Sequence, residues 1–346
     1  MEKLIECVPN FSEGRLQSNI NSIVKSIESI NNVTILDINQ GKSTNRTVIT
    51  FVGTPEDVSQ AAYLGISKAS ELIDMRNHKG EHPRIGATDV CPFIPLNGAK
   101  MDDCINIARN VGKRVGENLS IPVYLYERAA TSSNRKNLSF IRAGEYEGLP
   151  EKLKDPYWHP DFGKAEFNPL SGVTTIGARN FLIAFNVNLN TQDKKVASDI
   201  ASNIREIGRV KRYSNGTIMC DENGKILRKP GLLKSCKALG WYIPEYGKAQ
   251  VSMNLTNYKI TPPHVAFEAV CYEAKKRGIN VSGCEIIGLV PLEAMLMAGR
   301  YYLTSNYKND KIRDDDLLYK AIESLGLNDI KTFVPKESIL EYKIGL

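Results

Sequence analysis

Histidine is scarce here, with four in 346 residues, and two of the four, His78 and His82, fall within one short stretch. Other absences narrow the possibilities further. No G-x-G-x-x-G string occurs, so nothing marks a dinucleotide site. Gly41-Lys42-Ser43 looks like the end of a phosphate-binding loop, but that pattern needs a glycine where Leu36 stands, and the residues that follow read as a strand. The most apolar stretch, residues 286–298, is broken by Pro291 and Glu293 and is too short to span a bilayer. The opening residues meet Pro9 before any apolar core, which predicts no secretory leader. Seven cysteines, an odd number without C-x-x-C spacing, predict reduced thiols and a cytoplasmic protein.

What is present suits a globular enzyme of more than one domain. The length exceeds one ordinary core, and 42% hydrophobic with 24% charged residues is an ordinary balance. The net charge of +6 is scattered. Its dense spots, Lys211-Arg212 and Lys275-Lys276-Arg277, read as solvated faces, the second at a helix end where cations suit the dipole. This predicts no nucleic-acid groove, and a small polyanion is the more economical partner.

Strand-like and helix-like runs alternate. Residues 4–8 read as a strand, 16–30 as an amphipathic helix, and 33–38 and 47–53 as strands. Thr54-Pro55-Glu56-Asp57 opens a helix that 61–75 continues, and 88–94, 102–117 and 123–126 follow as strand, helix and strand. This is the β-α-β-β-α-β order of a split βαβ sandwich, with additions. The second half repeats the plot. Residues 181–189 read as a strand, Thr191-Gln192-Asp193 caps a helix to about 207, and 249–255, 261–277 and 286–290 read as strand, helix and strand. Residues 149–177 form a long loop of the kind that usually carries function. Ser214-Asn215-Gly216 and Glu222-Asn223-Gly224-Lys225 predict a surface hairpin with tight turns.

The histidine pair supports two incompatible chemistries. His78, Glu81 and His82 match the H-x-x-E-H pattern of inverted zinc hydrolases, which works only on a helix. Gly80 weakens such a helix by roughly 1 kcal/mol against alanine, and Pro83 biases His82 toward extended backbone. No third ligand nominates itself, so the segment is read as a loop histidine acting as general base, held by a rigid Pro83-Arg84 turn. Cys91 and His264 sit among apolar neighbours and read as packing. His159, beside Tyr157 and Trp158, sits in a loop that can lean over a ring system.

Longer strings resemble the glutamate formiminotransferase family. They are Val8-Pro9-Asn10-Phe11-Ser12-Glu13-Gly14-Arg15, Ser43-Thr44-Asn45-Arg46-Thr47-Val48, residues 78–93, Pro122-Val123-Tyr124-Leu125-Tyr126, Arg142-Ala143-Gly144-Glu145-Tyr146-Glu147, Asp161-Phe162-Gly163, residues 177–186 and Gly288-Leu289-Val290-Pro291-Leu292. The resemblance implies transfer of a formimino group from N-formimino-L-glutamate to tetrahydrofolate, without a metal, by a cytoplasmic homodimer, with the folate polyglutamylated in one version of the reading. It implies an α/β chain of the α+β sandwich type, with two ferredoxin-like subdomains and folate in a cleft between their sheets. The boundaries expected are 1–178, 179–300 and a C-terminal extension, 301–346.

By the same resemblance His82 is the catalytic base, and Asp161-Phe162-Gly163-Lys164-Ala165-Glu166-Phe167-Asn168-Pro169-Leu170-Ser171-Gly172 is the folate-binding segment. That segment offers glycines, exposed amides, a cation and an aromatic ring. Arg46, Lys79 and Arg84 are candidates to hold carboxylates, Glu81, Asp89 or Asn39 to orient the histidine, and Asn10 and Tyr126 to touch the ligand. Asn39 stands where the family often carries an aspartate, and residues 211–237 are longer than in the mammalian-type enzyme. The chain also ends before a cyclodeaminase domain, so the resemblance implies the transferase step alone. Two rival readings are an enzyme acting mainly on 5-formyltetrahydrofolate and a folate-binding protein without chemistry.

Overall fold

A computed structural model describes residues 3–303 and 312–345, and the chain divides into two units, Met1–Asn180 and Phe181–Leu346. The first unit opens with β1 (Ile5–Cys7) and β2 (Asn10–Phe11), one strand line interrupted at Val8-Pro9, where proline lacks the N–H that a ladder needs. Helix α1 (Gln17–Glu28) buries Ile20, Ile23, Val24 and Ile27, a stripe at helical spacing. Strands β3 (Thr34–Gly41) and β4 (Arg46–Gly53) form a hairpin. Helix α2 (Pro55–Leu72) starts where its cap predicts, with the Thr54 hydroxyl accepting the Asp57 N–H. Then come β5 (Thr88–Pro95), α3 (Met101–Asn118), β6 (Val123–Glu127), two single-turn helices, α4 (Leu138–Ile141) and α5 (Leu149–Lys152), and β7 (Thr174–Ala178).

β1 and β2 both lie between β4 and β5, antiparallel to each, and β3 flanks β4. β7 and then β6 extend the sheet in parallel beyond β5. Thr174–Ala178 is buried along its whole length, as parallel strands usually are. It lies at the end of the stretch expected to be loop, because two threonines, one isoleucine, a glycine and an alanine carry no alternation to read. The core gathers Ile5, Phe51, Phe93 and Ile176 from the sheet with Ile23, Ile66 and Val111 from α1, α2 and α3. Full burial of each large apolar side chain contributes roughly 1.5–3 kcal/mol. That leaves the loops at the sheet rim free to carry polar groups.

The second unit repeats the element order. β8 (Ile183–Leu189) leads to α6 (Lys194–Ile204), whose Asp193 cap accepts the Lys195 N–H at 2.7 Å. β9 (Arg209–Val210) and β10 (Arg228–Lys229) pair with each other. They precede β11 (Cys236–Ile243), β12 (Lys248–Leu255), α7 (Pro263–Lys275) and β13 (Val281–Ile287). The sheet runs β11-β12-β8-β13, antiparallel throughout. β11 was not expected, and β13 begins before the predicted 286–290 because a register shift between Val281 and Gly283 hides its alternation. Between β9 and β10 the backbone makes two turns rather than one hairpin. Lys211, Met219 and Leu227 close a ring of three hydrogen bonds, 2.8–2.9 Å long, and Gly216 and Gly224 turn at φ +86° and +76°.

Helices α8 (Leu292–Leu303) and α9 (Asp314–Leu325) contribute Ala294, Met295, Leu317 and Ala321 to the core of this second unit. The architecture is of the expected α+β class. Among the described residues no helix is long and apolar enough to cross a membrane.

Candidate active site

No helix forms over residues 78–82, as Gly80 and Pro83 predict. The loop is pinned instead. A Cβ on Gly80 would lie 2.1 Å from the Thr44 carbonyl oxygen, so the backbone of the β3–β4 turn passes directly over it, and the Glu81 N–H donates to Ser43 at 3.3 Å. Asn45, at φ +47°, ties three segments together. Its Oδ1 accepts from Gly14, its Nδ2 donates to the Lys79 carbonyl, and its own carbonyl receives His78 Nε2 at 2.8 Å.

His78 is buried, and both its ring nitrogens are engaged. Arg84 Nε donates to Nδ1 at 3.2 Å, which requires Nδ1 to accept and Nε2–H to donate to Asn45. Burial, with the nearby Arg84 charge, lowers its pKa, although the Asn45 carbonyl works the other way. The two histidines therefore do not converge on a common point as zinc ligands must.

Arg84 is itself buried, and all five of its N–H groups are taken by the protein. Nη1 reaches Glu145 and Glu147 at 3.1 and 2.8 Å, Nη2 reaches Glu147 at 2.7 Å and the His78 carbonyl at 3.1 Å, and Nε serves His78. No donor is left for a ligand carboxylate. The geometry describes a clamp between the histidine loop and residues 145–147.

His82 is less buried than His78. Its Nδ1 contacts the Pro83 carbonyl at 2.8 Å; a carbonyl only accepts, so Nδ1 carries the hydrogen and Nε2 keeps its lone pair. The ring is partly exposed. Desolvation first, then the positive fields of Arg46 and Arg142, push its pKa down to about 3, with Asp89 opposing. It stands as a neutral imidazole.

Those two arginines share one carboxylate. Asp89, fully buried on β5, accepts from Arg46 Nη1 at 2.6 Å and from Arg142 through Nη2 and Nε, and its Oδ1 also receives the Ile85 N–H at 3.0 Å. Burial alone would raise the Asp89 pKa. The charges and hydrogen bonds of Arg142 and Arg46 outweigh it and hold the carboxyl well below the usual carboxylate range. Arg46 Nε donates to Asn10 Oδ1 at 3.1 Å. The buried Tyr126 lies near Arg142 and Arg179, its pKa raised chiefly by burial.

The remaining sequence candidates fall at varied distances from this cluster. Asn39 pairs with Val48 in the β3–β4 ladder and is partly buried. Lys79 and Glu81 are exposed on the loop, and Lys79 joins Gly80, Arg84, Gly144, Glu145 and Glu147 around a cavity of about 410 Å³. Of the 161–172 segment, Asp161 anchors one end, accepting the Leu125 N–H at 2.7 Å and pairing with Arg135 at 3.1 Å, and Phe162 packs on Gly112. Gly163 turns at φ +81°. Lys164 and Glu166 are exposed, with the half-buried Ala165 between them, and Phe167 rests on Tyr146, ring centroids 5.4 Å apart. Asn168 Oδ1 caps Leu170 and Ser171, and the Pro169 carbonyl accepts the Tyr146 hydroxyl at 2.6 Å. Ser171 then receives the Ala87 N–H at 2.9 Å, and Gly172 forms a bridge with Gly86. The segment thus ends against the C-terminal side of the histidine loop.

Neither Arg142 nor Glu147 is singled out by the sequence as a site residue. Their contacts, 53 and 63 residues away in the chain, leave no local spacing to read.

A neutral histidine on a pinned loop, with the buried Arg46 and the partly buried Arg142 keeping donors to spare, is chemically able to exchange a proton beside a bound anion. Comparison with known proteins agrees on the family. The formiminotransferase domain, N-terminal subdomain, matches residues 4–179, and the formiminotransferase domain matches 184–345. The chain belongs to the formiminotransferase family. It is 48% identical over 345 residues to formimidoyltransferase-cyclodeaminase of Dictyostelium discoideum, covering 99% of this chain and 61% of that protein. It is 42% identical to glutamate formimidoyltransferase of Streptococcus pyogenes serotype M1, over 88% of this chain and 94% of that protein. The corresponding figures for glutamate formimidoyltransferase of Thermoplasma acidophilum are 44%, 88% and 93%. The chain spans about three-fifths of the length of the cyclodeaminase-bearing relatives.

Proposed function

We propose that this chain is a glutamate formimidoyltransferase: it moves the formimino group of N-formimino-L-glutamate to a ring nitrogen of tetrahydrofolate, releasing L-glutamate. The observation that carries the reading is His82, a neutral imidazole whose Nε2 keeps its lone pair beside Arg46 and Arg142, in a chain similar over nearly nine-tenths of its length to glutamate formimidoyltransferases. The acceptor amine must lose a proton as its nitrogen bonds to the formimino carbon. The departing glutamate nitrogen must gain one as its bond to that carbon breaks. One histidine can do both in turn. The formimino group is cationic when protonated and so already electrophilic, and orientation of two bound substrates supplies much of the rate.

In this reading Arg84, with no donor to spare, positions the loop rather than the substrate. Residues 161–172 hold the folate where Gly172 meets Gly86. Lys79 and Lys164, both exposed, are candidates to meet the carboxylates of a glutamate tail, polyglutamylated in the fuller version. A cytoplasmic homodimer completes the proposal. Purified protein with N-formimino-L-glutamate and tetrahydrofolate should release L-glutamate. Release from neither this pair nor 5-formyltetrahydrofolate would leave a folate-binding protein without chemistry.

A further inference from the structure

We propose that Arg46 and Arg142 together seat a carboxylate of the amino-acid substrate, and that filling this seat prepares His82 to accept its proton. The proposal rests on the formimino-transfer reading. Two guanidinium groups share the single carboxylate of Asp89, which leaves one positive charge over. Arg46 Nη2 and Arg142 Nη1 make no hydrogen bond to the described residues, although the two side chains are only 8% and 16% exposed. Neither nitrogen is among the described buried polar atoms left without a partner, so both open to solvent, and a carboxylate laid across the two free edges would meet the surplus charge with acceptors. Arg84 cannot compete for it, since its five donors are occupied.

The seat and His82 are linked by field. The charges of Arg46 on β4 and of Arg142 after α4 act against a proton on the imidazole, and that of Asp89 on β5 acts for it. Lys79 and Glu81 share its loop, while Tyr126 on β6 interacts through charge with Arg46, Arg142 and Arg179. Two cations against one anion disfavour a proton on His82. Burial lowers the proton affinity of His82 first and the arginine charges add to it; an incoming carboxylate offsets the charge part, so the histidine becomes a stronger base when the donor is in place. By reciprocity, protonation of His82 tightens the grip on the carboxylate. In the transfer step His82 Nε2 takes the proton of the acceptor nitrogen as the new N–C bond forms and returns it to the leaving nitrogen as the old C–N bond breaks, so no net proton is consumed.

A carboxylate could come from the amino-acid donor or from the folate tail. Histidine-labelled protein followed by NMR across pH separates them, with the His82 signal assigned from the His82→Gln variant. Saturating L-glutamate should raise the proton affinity of His82 by about tenfold or more, one pKa unit being a factor of ten, while 5-formyltetrahydrofolate alone should leave it in place. Arg142→Gln should raise the His82 pKa in the free protein and abolish the response to glutamate. Arg142→Lys keeps the charge without the fork, so glutamate should still move His82 but half-saturate at higher concentration. The proposal is overturned if His82 ignores glutamate at any soluble concentration, if folate alone moves it, or if Arg142→Gln still responds. None of these readouts needs turnover. A protein that shows the shift but releases no glutamate from formiminoglutamate would refute the transfer reading and keep the seat.

Discussion

Gly86 and Gly172 face each other across an isolated antiparallel bridge so tight that neither can carry a side chain. A Cβ on Gly172, which sits at φ +64°, would lie 2.3 Å from the Ile85 carbonyl oxygen, and one on Gly86 would lie 2.1 Å from that of Val173. The obstacle in both cases is backbone, which cannot swing aside. Through this contact the histidine loop and the 161–172 segment are held as one piece.

Gly172→Ala and Gly86→Ala should each destabilise the protein by about 1–3 kcal/mol, the scale of backbone strain and overpacking. Gly216→Ala, also at positive φ but with open space around it, should lower stability by no more than about 1 kcal/mol and leave turnover alone. Thermal unfolding of the three variants decides it. Equal losses at all three positions would mean the bridge is not under steric constraint.

Arg84→Lys should lower kcat/KM by about tenfold or more while reducing stability by only about 1–2 kcal/mol, because the fork to Glu147 is lost but a charge remains. Glu147 is well exposed, so Glu147→Gln should be milder in both respects. Steady-state kinetics with a denaturation curve for each variant makes the comparison. An Arg84→Lys enzyme with a raised KM and an intact kcat would point to substrate binding instead of loop positioning.

These two relationships also mark what the sequence could not show. Local signals were legible. Thr54-Pro55 located the start of α2, Asp193 capped α6, and Gly80 with Pro83 excluded a helix through the histidines. Contacts far apart in the chain were not. Nothing near residue 84 announces Glu147, and nothing near Asp89 announces Arg142. The parallel strand Thr174–Ala178 is read only by what covers it, and the bulge in Val281–Ile287 interrupts the alternation by which strands are found. His82 stood out because histidine is rare in the chain. Arg46 and Asp89 were candidates as well, but Arg142 was not, because arginine is common in the chain and nothing local marks this one.

Stability should fall as pH drops below about 6.5. His82 has a folded pKa near 3 against an ordinary value of 6.5, so between these limits the unfolded chain binds the proton that the folded chain refuses. His78 and His264 are shifted the same way, first by burial. Asp89 acts lower still: its depressed pKa contributes stability above the ordinary carboxylate range, lost only as pH falls through its folded value. The melting temperature of His82→Gln should therefore decline less between pH 6.5 and 4 than that of the parent protein. Parallel slopes would show that His82 binds its proton as readily folded as unfolded.

Chelation should leave activity unchanged, because His78 spends both ring nitrogens on Asn45 and Arg84 and cannot turn one toward a metal without breaking the clamp. Activity lost to a chelator and regained with zinc would require a different arrangement of this loop.

The most direct measurement is single-turnover transfer by His82→Ala, with folate affinity determined on the same preparation. Since proton transfer by a positioned side chain typically contributes about 10²–10⁴-fold, the rate should fall by that order. Binding of 5-formyltetrahydrofolate should stay within a few-fold of the parent, because the loop is held by Gly80, Asn45 and Arg84 rather than by the imidazole. A His82→Ala protein that transfers the formimino group at close to the parental rate would contradict the assignment of His82 as the base.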